Sequence, residues 1–185
     1  VGGGGGNAVN HMYNLVIEEV SFVVCNTDQQ ALIHSPVPNK ILIGEGLGAG
    51  NKPSVALAAA EAARDEISKM LNDGTKMVFI TAGMGGGTGT GAAPFVASIA
   101  RELGILTVGI VTIPFLFEGK RKIRQALKGV AAMSDNVDAL LVIHNERLCS
   151  VYPDLELSNA FGLADNVLTS AARGIVEIIT IDGHI

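Results

Sequence analysis

Two clusters rich in glycine carry the chemistry this sequence offers. The first is Gly2-Gly3-Gly4-Gly5-Gly6-Asn7, followed at once by the amphipathic run Ala8-Val9-Asn10-His11-Met12. A backbone without Cβ atoms turns tightly and lets a ligand approach closely. A helix starting after it would point free N–H groups and a positive dipole end at an anion, phosphate above all. Taken alone, the segment also reads as a flexible tail, although a well-patterned helix follows immediately. The second cluster is Gly83-Met84-Gly85-Gly86-Gly87-Thr88-Gly89-Thr90-Gly91, running into Ala92-Ala93-Pro94. Its amides, joined by the Thr88 and Thr90 hydroxyls, can wrap an anion without a lysine. A structural loop would seldom concentrate so much backbone entropy in one place.

Neither cluster is a P-loop, which needs Lys and then Ser or Thr after its last glycine; here Gly91 is followed by Ala92-Ala93. The dinucleotide fingerprint G-x-G-x-x-G also fails, since Asn7 stands where Gly2 and Gly4 would require a third glycine. Asp28 lies where a ribose-binding acid could sit, so a dinucleotide-binding oxidoreductase domain remains an alternative. It leaves the second cluster unexplained, and a purely structural scaffold leaves both. The four histidines, His11, His34, His144 and His184, have no metal-ligand spacing, and no protein-held metal site is expected.

These motifs must be positioned by alternating elements. Apolar runs over residues 20–25, 40–43, 76–81, 105–112 and 137–143 read as buried parallel strands. Helical periodicity covers residues 8–17, 53–71, 91–103, 118–133 and 157–179, with Pro53 suited to a first helical turn. The pattern predicts an α/β fold, a Rossmann-like, mostly parallel sheet with helices on both faces. The glycine runs are expected at strand-to-helix junctions, outside the elements, on the edge where such sheets bind ligands.

Composition sets the outer limits. The chain has 185 residues, 48% hydrophobic and 17% charged, which excludes a disordered polyelectrolyte. A net charge of −5 argues against a nucleic-acid partner. The most apolar stretch, residues 105–117, is interrupted by Thr107, Thr112 and Pro114 and is shorter than the ~20 residues that cross a bilayer. No direct membrane insertion is therefore expected. Cys25 and Cys149 make no disulfide framework, Cys25 reads as a core residue, and a cytoplasmic setting fits best. The chain opens on Val1 without a Met, as if trimmed.

The run Gly85-Gly86-Gly87-Thr88-Gly89-Thr90-Gly91 resembles the signature loop of the tubulin/FtsZ superfamily. The likeness extends along the whole chain. Asn26-Thr27-Asp28 and Gly46-Leu47-Gly48-Ala49-Gly50-Asn51-Lys52-Pro53 are similar to further nucleotide loops of that family. So are Pro114-Phe115, Phe117-Glu118-Gly119-Lys120, Asn145-Glu146-Arg147-Leu148 and Phe161-Gly162-Leu163-Ala164-Asp165-Asn166-Val167-Leu168. This resemblance implies a GTPase domain over residues 1–185 that ends with the family's long central helix. The implied ligand is GTP or GDP, with Mg²⁺ held by its phosphates and water. Gly3, Gly4, Gly5, Gly6 and Asn7 would hold phosphates, together with Gly86, Gly87, Thr88, Gly89, Thr90 and Gly91. Glu118 and Lys122 would reach the ribose and phosphate region. Lys122 stands where the family tends to have Arg, a cation without the planar fork.

Asn145 would touch ribose or base, and Phe161 would pack on guanine. Asp165 would accept from the two adjacent N–H donors of guanine, which an acceptor-only carboxylate matches. Taken singly, Phe161 also reads as core packing, Asp165 as a solvated helix residue, and Glu118 with Lys122 as a surface pair. The resemblance further implies self-association into filaments, membrane-tethering cell-division partners and a place at the division site. Hydrolysis would occur where a neighbouring subunit adds an acidic loop. The chain stops at Asp182-Gly183-His184-Ile185, where that loop would begin, so the loop and a second domain are expected to be absent and turnover low. Two departures stand out: a loop at Gly44-Glu45-Gly46 shorter than in relatives, and Val16 in place of a helix-ending glycine.

Overall fold

The computed structural model of the chain describes residues 1–15, 17, 20–154 and 156–181; Val16 and the closing residues 182–185 lie outside the described residues. Strand β1 (Val23–Asn26) pairs with β2 (Asn39–Leu42), and β3 (Met77–Gly83) pairs with β4 (Leu106–Ile113), which pairs with β5 (Ala139–His144). All three pairings are parallel. The expected sheet is thus present as two hydrogen-bonded groups, with one isolated antiparallel bridge between Asp28 and Leu47.

Alternation along β4 shows how the layers form, since successive side chains point to opposite faces. Val108 and Ile110 join Ala8 and Met12 of α1 (Gly2–Asn14) and Leu168 and Ala172 of α8 (Leu157–Ile181). Val111 and Ile113 join Val96 and Ile99 of α5 (Thr88–Glu102) and Ala126 and Met133 of α6 (Lys120–Ser134). Helices therefore cover both faces of the three-stranded sheet. Both faces being buried explains why β4 reads as a continuous apolar run rather than an alternating one.

The first glycine run departs from expectation. It lies inside a helix, because α1 begins at Gly2 and not at residue 8. Five glycines are poor helix formers, each ~1 kcal/mol worse than alanine, so tertiary contact must select this conformation. A Cβ on Gly5 would lie 2.2 Å from the Thr81 carbonyl oxygen, so only glycine lets α1 come this close to β3. Likewise α5 starts at Thr88, which places Gly89 and Gly91 within the helix.

The helix expected over 53–71 divides at Ala63 into α3 (Pro53–Ala62) and α4 (Arg64–Leu71). That turn allows Ala56, Ala60 and Ile67 all to enter one core. The segment expected to be helical from residue 118 opens instead with a 3-10 turn, Leu116–Glu118, before α6. Two short helices escaped the periodicity: α2 (Gln29–Ile33) and α7 (Glu146–Val151). Cys25 is buried as expected, and burial pushes its thiol up to about 11. Among the described residues no helix is long and apolar enough to cross a membrane.

Candidate functional site

Strand register brings the motifs to one edge. Gly83 pairs with Thr112 and Ile113 with His144, so β3, β4 and β5 end nearly level. From those ends emerge the second glycine cluster, the turn carrying Glu118, and Asn145. The first cluster arrives from the side: a Cβ on Gly2 would lie 3.0 Å from the Gly89 nitrogen and 3.3 Å from Thr88 Cβ. The N-termini of α1 and α5 therefore sit side by side. Each helix start leaves about four N–H groups without intrahelical partners, and the two positive dipole ends add in the same place. This arrangement can hold an anion carrying several oxygens.

The loop between β3 and α5 is braced from within. The Met84 N–H donates to the Thr112 carbonyl at 2.9 Å, and the Gly85 N–H donates to Thr90 Oγ1 at 2.8 Å. Thr88 Oγ1 lies 2.7 Å from Thr27 Oγ1. Thr90 Oγ1 is the acceptor in its bond, so its own O–H stays available to an anion, and in the Thr27–Thr88 pair either hydroxyl can be the donor.

Asn7 and Asp165, far apart in sequence, meet: Asn7 Nδ2 donates to Asp165 Oδ2 at 3.2 Å. Burial raises the Asp165 pKa above the ordinary 3.8, while the Asn7 hydrogen bond pulls it the other way. Phe161, half exposed, meets Phe115 and Phe117 edge-on with centroids 5.8 Å away in each case. Phe115 is fully buried and stacks on Phe117 at 4.9 Å. The result is an aromatic wall with two rings, Phe117 and Phe161, about half exposed, beside a partly buried carboxylate.

Glu118 and Lys122 do pair, at 3.3 Å, although Glu118 lies in the 3-10 turn and not on the same α-helix. The other Glu118 oxygen accepts from the Phe115 N–H at 2.9 Å, so this carboxylate also shapes the turn. A lysine ammonium has three donors, and Lys122 keeps capacity beyond that pair. Asn145 is 6% exposed, and among the described residues its Oδ1 has no hydrogen-bond partner. A buried acceptor left alone is unfavourable by about 1–3 kcal/mol, so this atom fits a site completed by a ligand donor.

Asp28 has a different role from the ribose contact an oxidoreductase would need. Its Oδ1 accepts from the Gln30 and Ala31 N–H groups at 2.9 and 3.3 Å, capping α2. The sequence reading missed Gln125. From α6 its Nε2 donates towards the Gly85, Gly86 and Asn51 carbonyls at 2.9, 3.1 and 3.1 Å, clasping the loop from outside. No spacing signals it, because its partners lie 39 to 74 residues earlier. Glu146, read in the sequence only as part of a family-like run, accepts from the Leu116 N–H at 2.9 Å and steadies the 3-10 turn. Among the described residues no group of three or more His, Cys, Asp or Glu could hold a metal ion.

Comparison with known proteins agrees with this geometry. The chain is 63% identical to the cell division protein FtsZ of Porphyromonas gingivalis and 52% identical to that of Coxiella burnetii, in each case over its whole length. It covers 42% and 49% of those proteins, and so spans about half the length of these curated relatives. A solved FtsZ dimer from M. jannaschii superposes with a TM-score of 0.95 at 45% identity, covering 100% of this chain and 55% of that one. The GTPγS-bound CetZ2 protofilament from Haloferax volcanii shares the fold, with a TM-score of 0.81 at 23% identity over 95% of this chain and 55% of that one. The oxidoreductase alternative finds no support. Residues 1–153 match the model of the Tubulin/FtsZ family GTPase domain, and the chain belongs to that family.

Proposed function

We propose that this chain is the guanine-nucleotide-binding domain of a filament-forming, cytoplasmic cell-division GTPase that acts at the division site. One observation carries the reading: two glycine-rich helix N-termini lie side by side, with the Asn7–Asp165 pair linking the first of them to α8. The open amides at Gly86, Gly87, Thr88 and Gly89, with those at the start of α1, bind and orient the phosphates. Lys122, held by Glu118, adds a cation at the ribose and phosphate side. Phe161 offers a ring to the purine, Asp165 accepts from its N–H groups, and Asn145 Oδ1 accepts from the ribose or base.

The dimer of the M. jannaschii FtsZ and the protofilament of the CetZ2 relative support self-association, and hydrolysis is then shared with a neighbouring copy. Mg²⁺, when bound, neutralises phosphate charge and is held chiefly by phosphate oxygens and water. Membrane-tethering cell-division proteins are the further partners proposed.

Competition against a fluorescent guanine nucleotide tests this function. GDP is expected to displace it, while ATP and NAD fail at the same concentrations. Displacement by NAD, or no nucleotide binding at all, would overturn the reading.

Gln125 provides a separate check on the phosphate loop. Gln125→Met keeps the side chain's length and removes its donors. A net hydrogen bond contributes about 1 kcal/mol, and losing one or two should weaken GDP roughly 5- to 30-fold. Guanosine, which lacks phosphate, should bind the variant as it binds the parent. Equal losses for GDP and guanosine would show that Gln125 acts on the fold as a whole.

A further inference from the structure

A cavity of about 960 Å³ lies in the groove between α6 and the pair α3 and α5, and it shares Thr90, Gly91 and Gln125 with the glycine loop. Its apolar lining includes Leu57 from α3, Phe95 from α5 and Leu127 from α6. Leu127 and Leu57 are exposed, at 51% and 37%. Along the α6 wall, Arg121, Arg124 and Lys128 recur at helical spacing and all line the groove. No carboxylate lines it, although the chain holds 18 Asp and Glu against 13 Lys and Arg. Among the described residues none of these three cations forms a salt bridge; Arg124 makes only a long hydrogen bond, 3.5 Å, to the Lys120 carbonyl. An acidic protein has thus gathered unpaired positive charge along an apolar trough.

The geometry points to a docking site for an acidic amphipathic helix of a partner protein. Its carboxylates pair with Arg121, Arg124 and Lys128, and its apolar side chains enter between Leu57, Phe95 and Leu127. Grooves of this kind take helices through apolar anchors three and four residues apart, and complementary charge steers the encounter and selects the partner. A bilayer is a poorer match, because the apolar residues line a concavity between helices and a flat surface reaches only the rim. A nucleotide would leave the apolar wall unused. Although the groove shares Thr90, Gly91 and Gln125 with the glycine loop, docking uses only the α6 cations and the apolar wall and does not rest on guanine binding.

The test uses fluorescence anisotropy with a labelled synthetic helix of about five turns, ~18 residues, carrying Glu on one edge and Leu on the other. Saturable binding to this chain is expected, weakening as salt rises because exposed charges are screened beyond ~10 Å at 0.1 M. Leu127→Asp, and separately Arg124→Glu with Lys128→Glu, should each lower affinity about tenfold or more. A version of the peptide with Lys in place of Glu should not bind. Circular dichroism melting confirms that the variants fold. If the charge reversal unfolds the chain, Arg124→Gln with Lys128→Gln replaces it, with a loss of roughly fivefold expected. The proposal is overturned if the acidic peptide fails to bind, if the variants bind it like the parent, or if the Lys peptide binds equally well. It is also overturned if the chain ignores the peptide and sediments with phosphatidylserine vesicles, or if sedimentation equilibrium shows that a second copy fills the groove.

Discussion

Asp165→Ala is expected to lower GDP affinity by two to four orders of magnitude and to erase the preference for guanine. Each hydrogen bond to a charged group contributes about 1.5–3 kcal/mol, and guanine directs two N–H donors at one carboxylate. Losing both therefore removes about 3–6 kcal/mol. Inosine diphosphate, which lacks the exocyclic amine, isolates half the effect: the parent should bind it about 10- to 100-fold more weakly than GDP, and the variant should bind the two alike. Equal discrimination by parent and variant would remove Asp165 from the base site.

The same carboxylate sets a pH dependence of known sign. Only its ionised form is a pure acceptor, and burial raises its pKa above the ordinary 3.8. GDP affinity should therefore fall as pH drops into the window just above that value, and Asp165→Asn should bind weakly with no such dependence. Stability of the ligand-free chain moves the other way. A carboxyl whose pKa is raised on folding takes up its proton more readily when folded, so this group's contribution declines as pH rises through the window. Isothermal titration and thermal melts across one pH series would show the two opposite slopes.

The second large effect concerns close approach. Gly91→Ala is expected to destabilise the chain by about 3 kcal/mol or more. The added methyl would lie 2.0 Å from the Pro53 carbonyl oxygen and 2.8 Å from its carbon, both backbone atoms. Because that backbone belongs to α3, relief requires α3 and α5 to separate and the core they share to open. Gly3→Ala is the control. A Cβ there meets nothing within 4 Å, and alanine in place of glycine within a helix adds about 0.5–1 kcal/mol. The ligand-free Gly3→Ala variant should thus melt higher, yet bind GDP more weakly, because the methyl enters the space assigned to phosphate. A higher melting temperature with unchanged GDP affinity would exclude Gly3 from that space.

Much of the architecture was legible because apolar runs of strand length mark parallel strands: all five were located, with ends displaced by a few residues, although β2 and β5 are largely exposed or half-buried where burial was expected. Boundaries failed where propensity and packing disagree. Gly2 to Gly6 look like loop residues, since isolated glycines disfavour helix, but contact with β3 stabilises the helical form. The division at Ala63 has no Gly or Pro to announce it, and the short α2 and α7 are too brief to show periodicity. Asp28 was ambiguous in sequence, since an acid after a strand suits both a ribose and a helix cap; only its 2.9 Å bond to the Gln30 amide decides for the cap.

The site divides in the same way. By itself the sequence determined the class of fold and, through its resemblance to the tubulin/FtsZ family, pointed to a nucleotide ligand. Glycine and hydroxyl residues in that order have few other uses, and apolar periodicity depends on local chemistry alone. The tertiary structure decided which atoms are left for the ligand. It joined Asn7 to Asp165 across 158 positions, engaged the Thr88 and Thr90 hydroxyls, left Asn145 Oδ1 buried without a protein partner, and recruited Gln125. Hydrogen bonds form between whatever donors and acceptors folding brings within about 3 Å, and separation along the chain carries no record of them.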